Sequence, residues 1–163
     1  MGRAEMIILI GAIAILGRYS LTVNDALAGN EIIVLQSNYE LSAVSIVQGI
    51  FNEAWLKSFD EETVSGFPAQ IPTEFTVGEQ MGPESGESYP YFDDVDDYNS
   101  LSISDTSSGG LPYTLDVTVG YIEAADKDTY VSYRTTLKRM DVSLSSDYLR
   151  NTISFSRIYP YWK

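Results

Sequence analysis

Residues 5–17 read EMIILIGAIAILG, a single glutamate followed by an apolar run with no charge until Arg18. An ionised carboxylate beside such a run is costly to bury without a partner, because it loses its hydration. Export signals place lysine or arginine, not an acid, at this end of the apolar segment. Glu5 therefore needs a cation in an apolar environment, and a free α-amino group is the chemically nearest candidate.

The combination of Met1, Glu5 and an apolar helix resembles the N-terminus of a mature type IV pilin or pseudopilin, with a type IVb-like first residue. The resemblance covers residues 1–59 in pattern. It implies that Glu5 neutralises the Met1 amine of a neighbouring subunit and thereby sets the axial stagger. Arg3 is the alternative cation for Glu5, in the same or an adjacent chain. Residues 6–16 would hold the chain in a membrane first and pack in a filament core afterwards.

The resemblance also implies partners and a location. Copies of the chain would form a helical filament with their N-terminal helices bundled at its centre. A prepilin peptidase would process the precursor, leaving a methylated N-terminus, and an inner-membrane machinery would assemble the subunits. The chain would thus reside in the inner membrane before assembly and at the cell surface, as an extracellular filament, after it. Such filaments serve adhesion or motility.

A cleavable signal peptide is one other interpretation of the N-terminus. Residues 1–28 would then comprise a basic region at Arg3, the apolar run, and a cleavage site at residues 26–28. The stretch from residue 17 to residue 28 is long and polar for that role.

A permanent membrane anchor is the second other interpretation. The run 6–17 is about half of what spans a bilayer. It becomes a plausible span only if residues 19–23 are added and Arg18 reaches to the interface.

The composition restricts the chemistry of the chain. Its 163 residues contain no cysteine and no histidine, which excludes disulfides, thiolate metal sites, the usual imidazole base and a Ser-His-Asp triad. A net charge of −13 argues against nucleic acid as a direct ligand. No P-loop, dinucleotide fingerprint or nucleophile elbow is present in the sequence. We therefore expect neither an enzyme nor a cofactor.

The predicted fold is α+β, with a long N-terminal helix whose C-terminal half packs against an antiparallel β-sheet head. Residues 1–30 form the apolar part of the helix and residues 31–163 form the head. Within the head, residues 31–60 are an amphipathic helix, residues 61–112 an acidic loop region, and residues 113–163 the sheet.

Periodicity supports the helix. Apolar residues recur every three or four positions: Ile32, Leu35, Tyr39, Ala43, Ile46, Ile50 and Ala54. The Gly66–Pro68 breaker predicts that the helix ends near residues 59–62. In pilins this helix unwinds locally in some filaments, and the weak helix formers in residues 17–24 make that segment the candidate for such unwinding here.

Three later segments alternate apolar and polar residues, as half-buried strands do. Their apolar positions are Leu115, Val117, Val119 and Tyr121, then Met140, Val142 and Leu144, then Ile153 and Phe155. Short links between them predict an antiparallel meander around the amphipathic helix. Short strands are also expected near residues 74–77 and 99–104.

Asp93, Asp94, Asp96 and Asp97 form the densest acidic cluster and are the candidate calcium ligands. Calcium takes six to eight oxygen ligands, which clustered aspartates supply. The spacing does not match an EF-hand, and the other interpretation is solvated loop charge. We assign no metal to the cluster at this point.

Charge is distributed unevenly along the chain. Residues 58–126 contain fifteen acids and no lysine or arginine, whereas residues 127–163 contain seven bases and three acids, a net of 7 − 3 = +4. This predicts that the acidic middle segment meets the basic sheet, within or between subunits, through exposed pairs at Lys138 and Arg139. The other interpretation is that both are solvated faces.

These observations together favour a structural subunit of an extracellular type IV pilus-like filament. A pseudopilin of a type II secretion system would use the same parts and is the nearest alternative. A membrane-anchored or secreted binding module with a β head is the alternative from a different functional class.

Overall fold

The computed structural model describes residues 2–161. One α-helix, α1 (Arg3–Trp55), precedes a five-stranded sheet in the described part of the chain. The strands are β1 (Ser102–Thr106), β2 (Pro112–Ile122), β3 (Tyr130–Val131), β4 (Leu137–Ser145) and β5 (Ile153–Pro160). The chain divides into two compact units, one ending at Asn38 and the other beginning at Tyr39.

The sheet confirms the predicted α+β class. Its order is β1-β2-β4-β5, with β3 paired to β2, and all pairs are antiparallel. β1 lies inside the predicted loop region and overlaps the short strand expected near residues 99–104. Residues 74–77, where a second short strand was expected, form a turn and irregular backbone that leads into the 3-10 helix Gly78–Gln80.

α1 ends at Trp55 and not at the predicted residue 60. The N–H groups of Leu56 and Lys57 donate to carbonyls three residues earlier, which tightens the last turn. Ser58 then pairs its backbone with the segment around Asp94. Residues 17–24 are helical in the single chain, and their unwinding in a filament stays a prediction.

The last turns of α1 pack on one face of the sheet. Their buried residues are Ala43, Val47, Ile50, Phe51 and Ala54. They meet the inward residues of β2 and β4, namely Leu115, Val117, Val119, Met140, Val142 and Leu144. Each large apolar side chain buried in this way contributes about 1.5–3 kcal/mol.

Phe155 does not belong to this core, contrary to the periodicity argument. It pairs with the buried Val142, so it shares the inward face, yet 43% of it is exposed. The reason is that β5 is an edge strand in the described sheet, where less of the face is covered. Ile153 is partly buried at the same strand.

The segment between α1 and β1 is irregular but not loosely packed. It contains 3-10 helices at Glu61–Thr63, Gly78–Gln80 and Asp96–Tyr98. A second apolar cluster lies beneath it, formed by Phe59, Phe75, Met81 and Tyr121. This packing fixes the backbone that carries most of the acidic side chains.

Candidate functional site

The first part of α1 presents apolar side chains to solvent on all sides. Among residues 2–38 none is buried, although most of the large side chains are hydrophobic. The most exposed include Ile7, Ile8, Ile10, Ile13, Ile15, Leu16, Leu21 and Ile32. By length and composition this helix is apolar enough to cross a membrane. An exposed apolar surface of this extent is typical of a segment that is covered by lipid or by another protein.

Glu5 lies in the first turn of α1, where the helix dipole favours an anion. Its Oε2 accepts a hydrogen bond from the Gly2 backbone N–H at 2.9 Å. None of the ion pairs formed among residues 2–161 includes Glu5 or Arg3. Met1 lies outside the described residues, so its predicted contact with Glu5 stays a prediction.

Lys138 occupies the centre of a buried ionic cluster. Its Nζ donates to the Phe59 carbonyl at 2.7 Å, to Asp60 Oδ2 at 2.8 Å, and to Asp96 Oδ1. The ammonium also lies over the Phe59 ring, 4.5 Å from the centroid. The acidic middle segment and the basic sheet therefore form ion pairs at Lys138, as predicted, and they do so within one chain. The prediction that this pair is exposed is wrong, since Lys138, Asp60 and Asp96 are all buried.

Arg139, the next residue, behaves differently. Its Nη2 donates to Asp141 Oδ2 at 2.7 Å, and the guanidinium lies over the Tyr130 ring. Asp128 is 3.9 Å away and fully solvated. All these partners belong to the C-terminal segment itself, so Arg139 makes no ion pair with the acidic middle segment in the described chain.

Asp60 is held ionised by its neighbours. Burial alone would raise its pKa, but the charge and hydrogen bond of Lys138 outweigh burial and lower it below the usual value. The Thr76 backbone N–H and the Tyr121 hydroxyl also donate to this carboxylate. At Asp96 the effect of burial, which raises the pKa, is larger than the opposing effect of the Lys138 charge and hydrogen bond. The pKa of Asp96 is therefore raised to about 6.

The four candidate calcium ligands have separate roles. Asp93 is exposed, and Asp96 pairs with Lys138. Asp94 Oδ1 accepts the backbone N–H groups of Asp96 and Asp97, at 2.6 and 3.1 Å. Asp97 Oδ2 accepts those of Asp93 and Asp94, at 3.0 and 3.2 Å. The cluster is therefore a folded turn held by its own carboxylates, and its four side chains do not converge on one point.

A different set of carboxylates does converge. Oxygen atoms of Glu84, Glu87 and Asp97 all lie within 4.8 Å of one another. Glu84 and Glu87 flank a turn closed by the Glu87 N–H donating to the Glu84 carbonyl at 3.0 Å. Gly86 in this turn has φ +108°, a conformation that favours glycine. The sequence signal was Glu-Ser-Gly-Glu, a turn with two acids, but nothing in it indicated Asp97 as the partner.

Mutual repulsion and loss of hydration raise pKa values in and beside this three-carboxylate group. Although Glu84 is largely exposed, partial loss of hydration, the hydrogen bond with Glu87 and the charge of Asp97 raise its pKa to about 8. Burial also raises the pKa of Asp97. Asp94 lies behind it, and burial followed by repulsion from Asp96 and Asp97 raises its pKa to about 9.

No family model, no curated protein and no solved structure matches this chain. Its architecture nevertheless agrees with the one that the pilin resemblance implies, a long N-terminal helix followed by an antiparallel sheet.

Proposed function

We propose that this chain is a structural subunit of a type IV pilus-like filament, assembled through packing of the N-terminal parts of α1. The observation that carries the proposal is the apolar surface of residues 6–35, whose large hydrophobic side chains are exposed in the described part of the chain. The role is structural and not catalytic. Its partners are other copies of the chain, and an inner-membrane machinery and prepilin peptidase would bring them together.

The length of the apolar surface favours a filament over a simple anchor. Residues 6–35 extend about 45 Å along a helix at 1.5 Å per residue. The hydrocarbon core of a bilayer is only about 30 Å thick. Arg18, Asp25 and Glu31 also interrupt the surface, and charges are costly within lipid. A surface longer than the bilayer and interrupted by charge suits packing against other helices better than permanent residence in lipid.

Glu5 has the proposed role of aligning each incoming subunit. At the head of the apolar run its carboxylate would enter a dry environment, where it needs a cation from a neighbouring copy. The Met1 amine and Arg3 are the two candidates. Among residues 2–161, the Glu5 carboxylate is seen only in the local hydrogen bond with Gly2, which leaves it able to accept a further partner.

The test compares Glu5→Gln with Glu31→Gln in the organism that encodes the chain. Both variants remove one exposed carboxylate from α1, but only the first removes the proposed alignment contact. Filaments sheared from the cell surface are counted by negative-stain electron microscopy. We expect filaments from the parent chain and Glu31→Gln, and a loss of at least about tenfold in Glu5→Gln, because breaking a buried pair costs about 3–5 kcal/mol.

Further measurements identify the partner and separate the alternatives. Mass spectrometry of the N-terminal peptide shows whether Met1 is the processed and methylated first residue. A loss of filaments in Arg3→Gln would show that Arg3 is the cation instead. Short filaments confined beneath the outer surface would favour a secretion-system pseudopilin. Normal filaments from Glu5→Gln would contradict the role of Glu5. Discrete monomers from the parent chain would contradict the filament and favour an anchored binding module.

A further inference from the structure

Three carboxylates from two separate segments meet at one place in the head. Glu84 and Glu87 come from the turn before the aspartate cluster, and Asp97 comes from the 3-10 helix Asp96–Tyr98. Their oxygen atoms lie within 4.8 Å of one another, closer than like charges remain without a neutralising partner. Glu84 is exposed, Glu87 is half-buried and Asp97 is buried, so the group is open to solvent on one side.

Asp97 adds an independent indication of a missing ligand. Only 1% of the residue is exposed, and its Oδ1 has no hydrogen-bond partner. Its Oδ2, in contrast, accepts two backbone N–H groups, so the side chain is held firmly in place. Asp94, fully buried beside it, likewise has Oδ2 without a partner. Buried carboxylate oxygens are normally paired, and unpaired ones are costly.

Basic residues do not supply the missing charge. Within residues 2–161, Lys138 and Arg139 pair instead with Asp60, Asp96, Asp128 and Asp141. None of these pairs includes Glu84, Glu87 or Asp97. Glu61 adds further negative charge nearby, since its pKa is raised by burial and by repulsion from Asp93, Glu87 and Asp97.

We propose that Glu84, Glu87 and Asp97 bind a divalent cation, and that this cation is calcium. An all-carboxylate set of hard oxygens suits calcium or magnesium and not zinc, which prefers nitrogen and sulfur ligands. Calcium binds oxygens at about 2.3–2.6 Å, so ligand atoms up to about 5 Å apart fit its irregular shell. Magnesium requires a smaller, near-octahedral set of ligands. Solvent on the Glu84 side supplies the remaining ligands as water.

The bound ion would tie two irregular segments together. Without an ion, the Glu84 side chain links the two segments by a hydrogen bond with Asp97, which requires a proton between the two carboxyl groups. The ion would take the place of that proton and join the segments through Asp97. It would also neutralise the carboxylates that otherwise retain protons. The site lies in the head and does not depend on the proposed filament, so binding is tested without reference to assembly.

The experiment measures calcium binding by the full-length chain in detergent, after calcium has been removed with a chelator. Isothermal titration with calcium gives the stoichiometry, and terbium luminescence sensitised by tyrosine reports whether calcium and terbium compete for the same site. We expect one saturable site from which calcium displaces terbium. Glu84→Gln and Glu87→Gln should each weaken binding at least about tenfold, because each removes one anionic ligand.

Glu79→Gln is the matched control, since it removes one charge from an exposed glutamate in the same segment. Binding as strong as in the parent chain is expected for it. Asp97→Asn is avoided because the Asp97 carboxylate also holds the turn. Thermal unfolding confirms that each variant is folded. No binding by the folded parent chain would overturn the site, and so would equal weakening in Glu79→Gln, which would indicate diffuse counterion attraction.

Discussion

Lys138 occupies a position of β4 where the alternation of inward residues would ordinarily place an apolar side chain. Met140, Val142 and Leu144 continue the same inward row, and all of them are buried. We expect Lys138→Met to destabilise the chain by about 3–5 kcal/mol, because Asp60 and Asp96 would be left without their cation. Urea unfolding of the full-length chain in detergent, followed by the far-ultraviolet β signal, measures this loss.

Lys127→Met is the control, since it removes an exposed lysine from a turn and should change stability by less than about 0.5 kcal/mol. Adding Asp60→Asn and Asp96→Asn to Lys138→Met should restore part of the loss, because no buried charge then remains unpaired. Equal stability of Lys138→Met and the parent chain would mean that the cluster contributes nothing.

For individual residues, the sequence predicted only some of the contacts around Lys138 and Asp97. The charge imbalance predicted that acidic and basic segments meet, and Lys138 does meet Asp60 and Asp96. Its burial was missed because lysine is ordinarily counted as an outward residue, although extending the Met140–Leu144 alternation by one step places it inward. The meeting of Asp97 with the 84–87 turn depends on irregular backbone, for which sequence periodicity carries no signal.

α1 has an exposed N-terminal part and a C-terminal part that is buried on one side. Substitutions at two nearby positions, one exposed and one buried, test this difference. Ile50 is buried in the core, whereas Leu41, two and a half turns earlier, is 69% exposed. We expect Ile50→Asp to unfold the head, because an unpaired carboxylate in an apolar core costs several kcal/mol. Leu41→Asp introduces the same side chain at an exposed position and should leave the head folded.

Near-ultraviolet circular dichroism of the full-length chain reports whether the aromatic core remains ordered in each variant. A folded Ile50→Asp would contradict the packing of α1 on the sheet. The pattern of apolar residues was sufficient to predict the three long strands and the packing of α1 from Ala43 onward. Its extension to Ile32 and Leu35 is wrong, since these residues are 64% and 52% exposed. It was insufficient for the end of α1, because the pairing of Ser58 with Asp94 is a long-range contact that overrides local helix propensity.

The whole molecule carries an excess of acids, and its fold retains protons on some of them. The folded-state pKa is raised to about 9 at the buried Asp94 and to about 6 at the buried Asp96. Unfolded carboxyl groups titrate near about 4. Between these values the folded chain binds more protons than the unfolded chain, so its stability should fall as the pH rises from about 5 to about 8.

Each retained proton changes the free energy of unfolding by at most about 1.4 kcal/mol per pH unit. Urea midpoints at a series of pH values, with a chelator present, measure the slope. Asp96, Asp97 and Lys138 are the charged groups around Asp94. Asp94→Asn should flatten the dependence, whereas Asp147→Asn at an exposed turn should not. Stability that is constant or rises over this range would contradict the retained protons.

The uneven distribution of charge has a consequence for digestion by proteases. Irregular surface segments are where cleavage usually begins, yet residues 58–126 contain no lysine or arginine for a trypsin-like enzyme. Enzymes that cleave after aromatic residues meet exposed Phe67 and Tyr89, but proline follows each of them and blocks that bond. Tyr91, which is 81% exposed and precedes Phe92, is where such an enzyme would first cut the acidic segment.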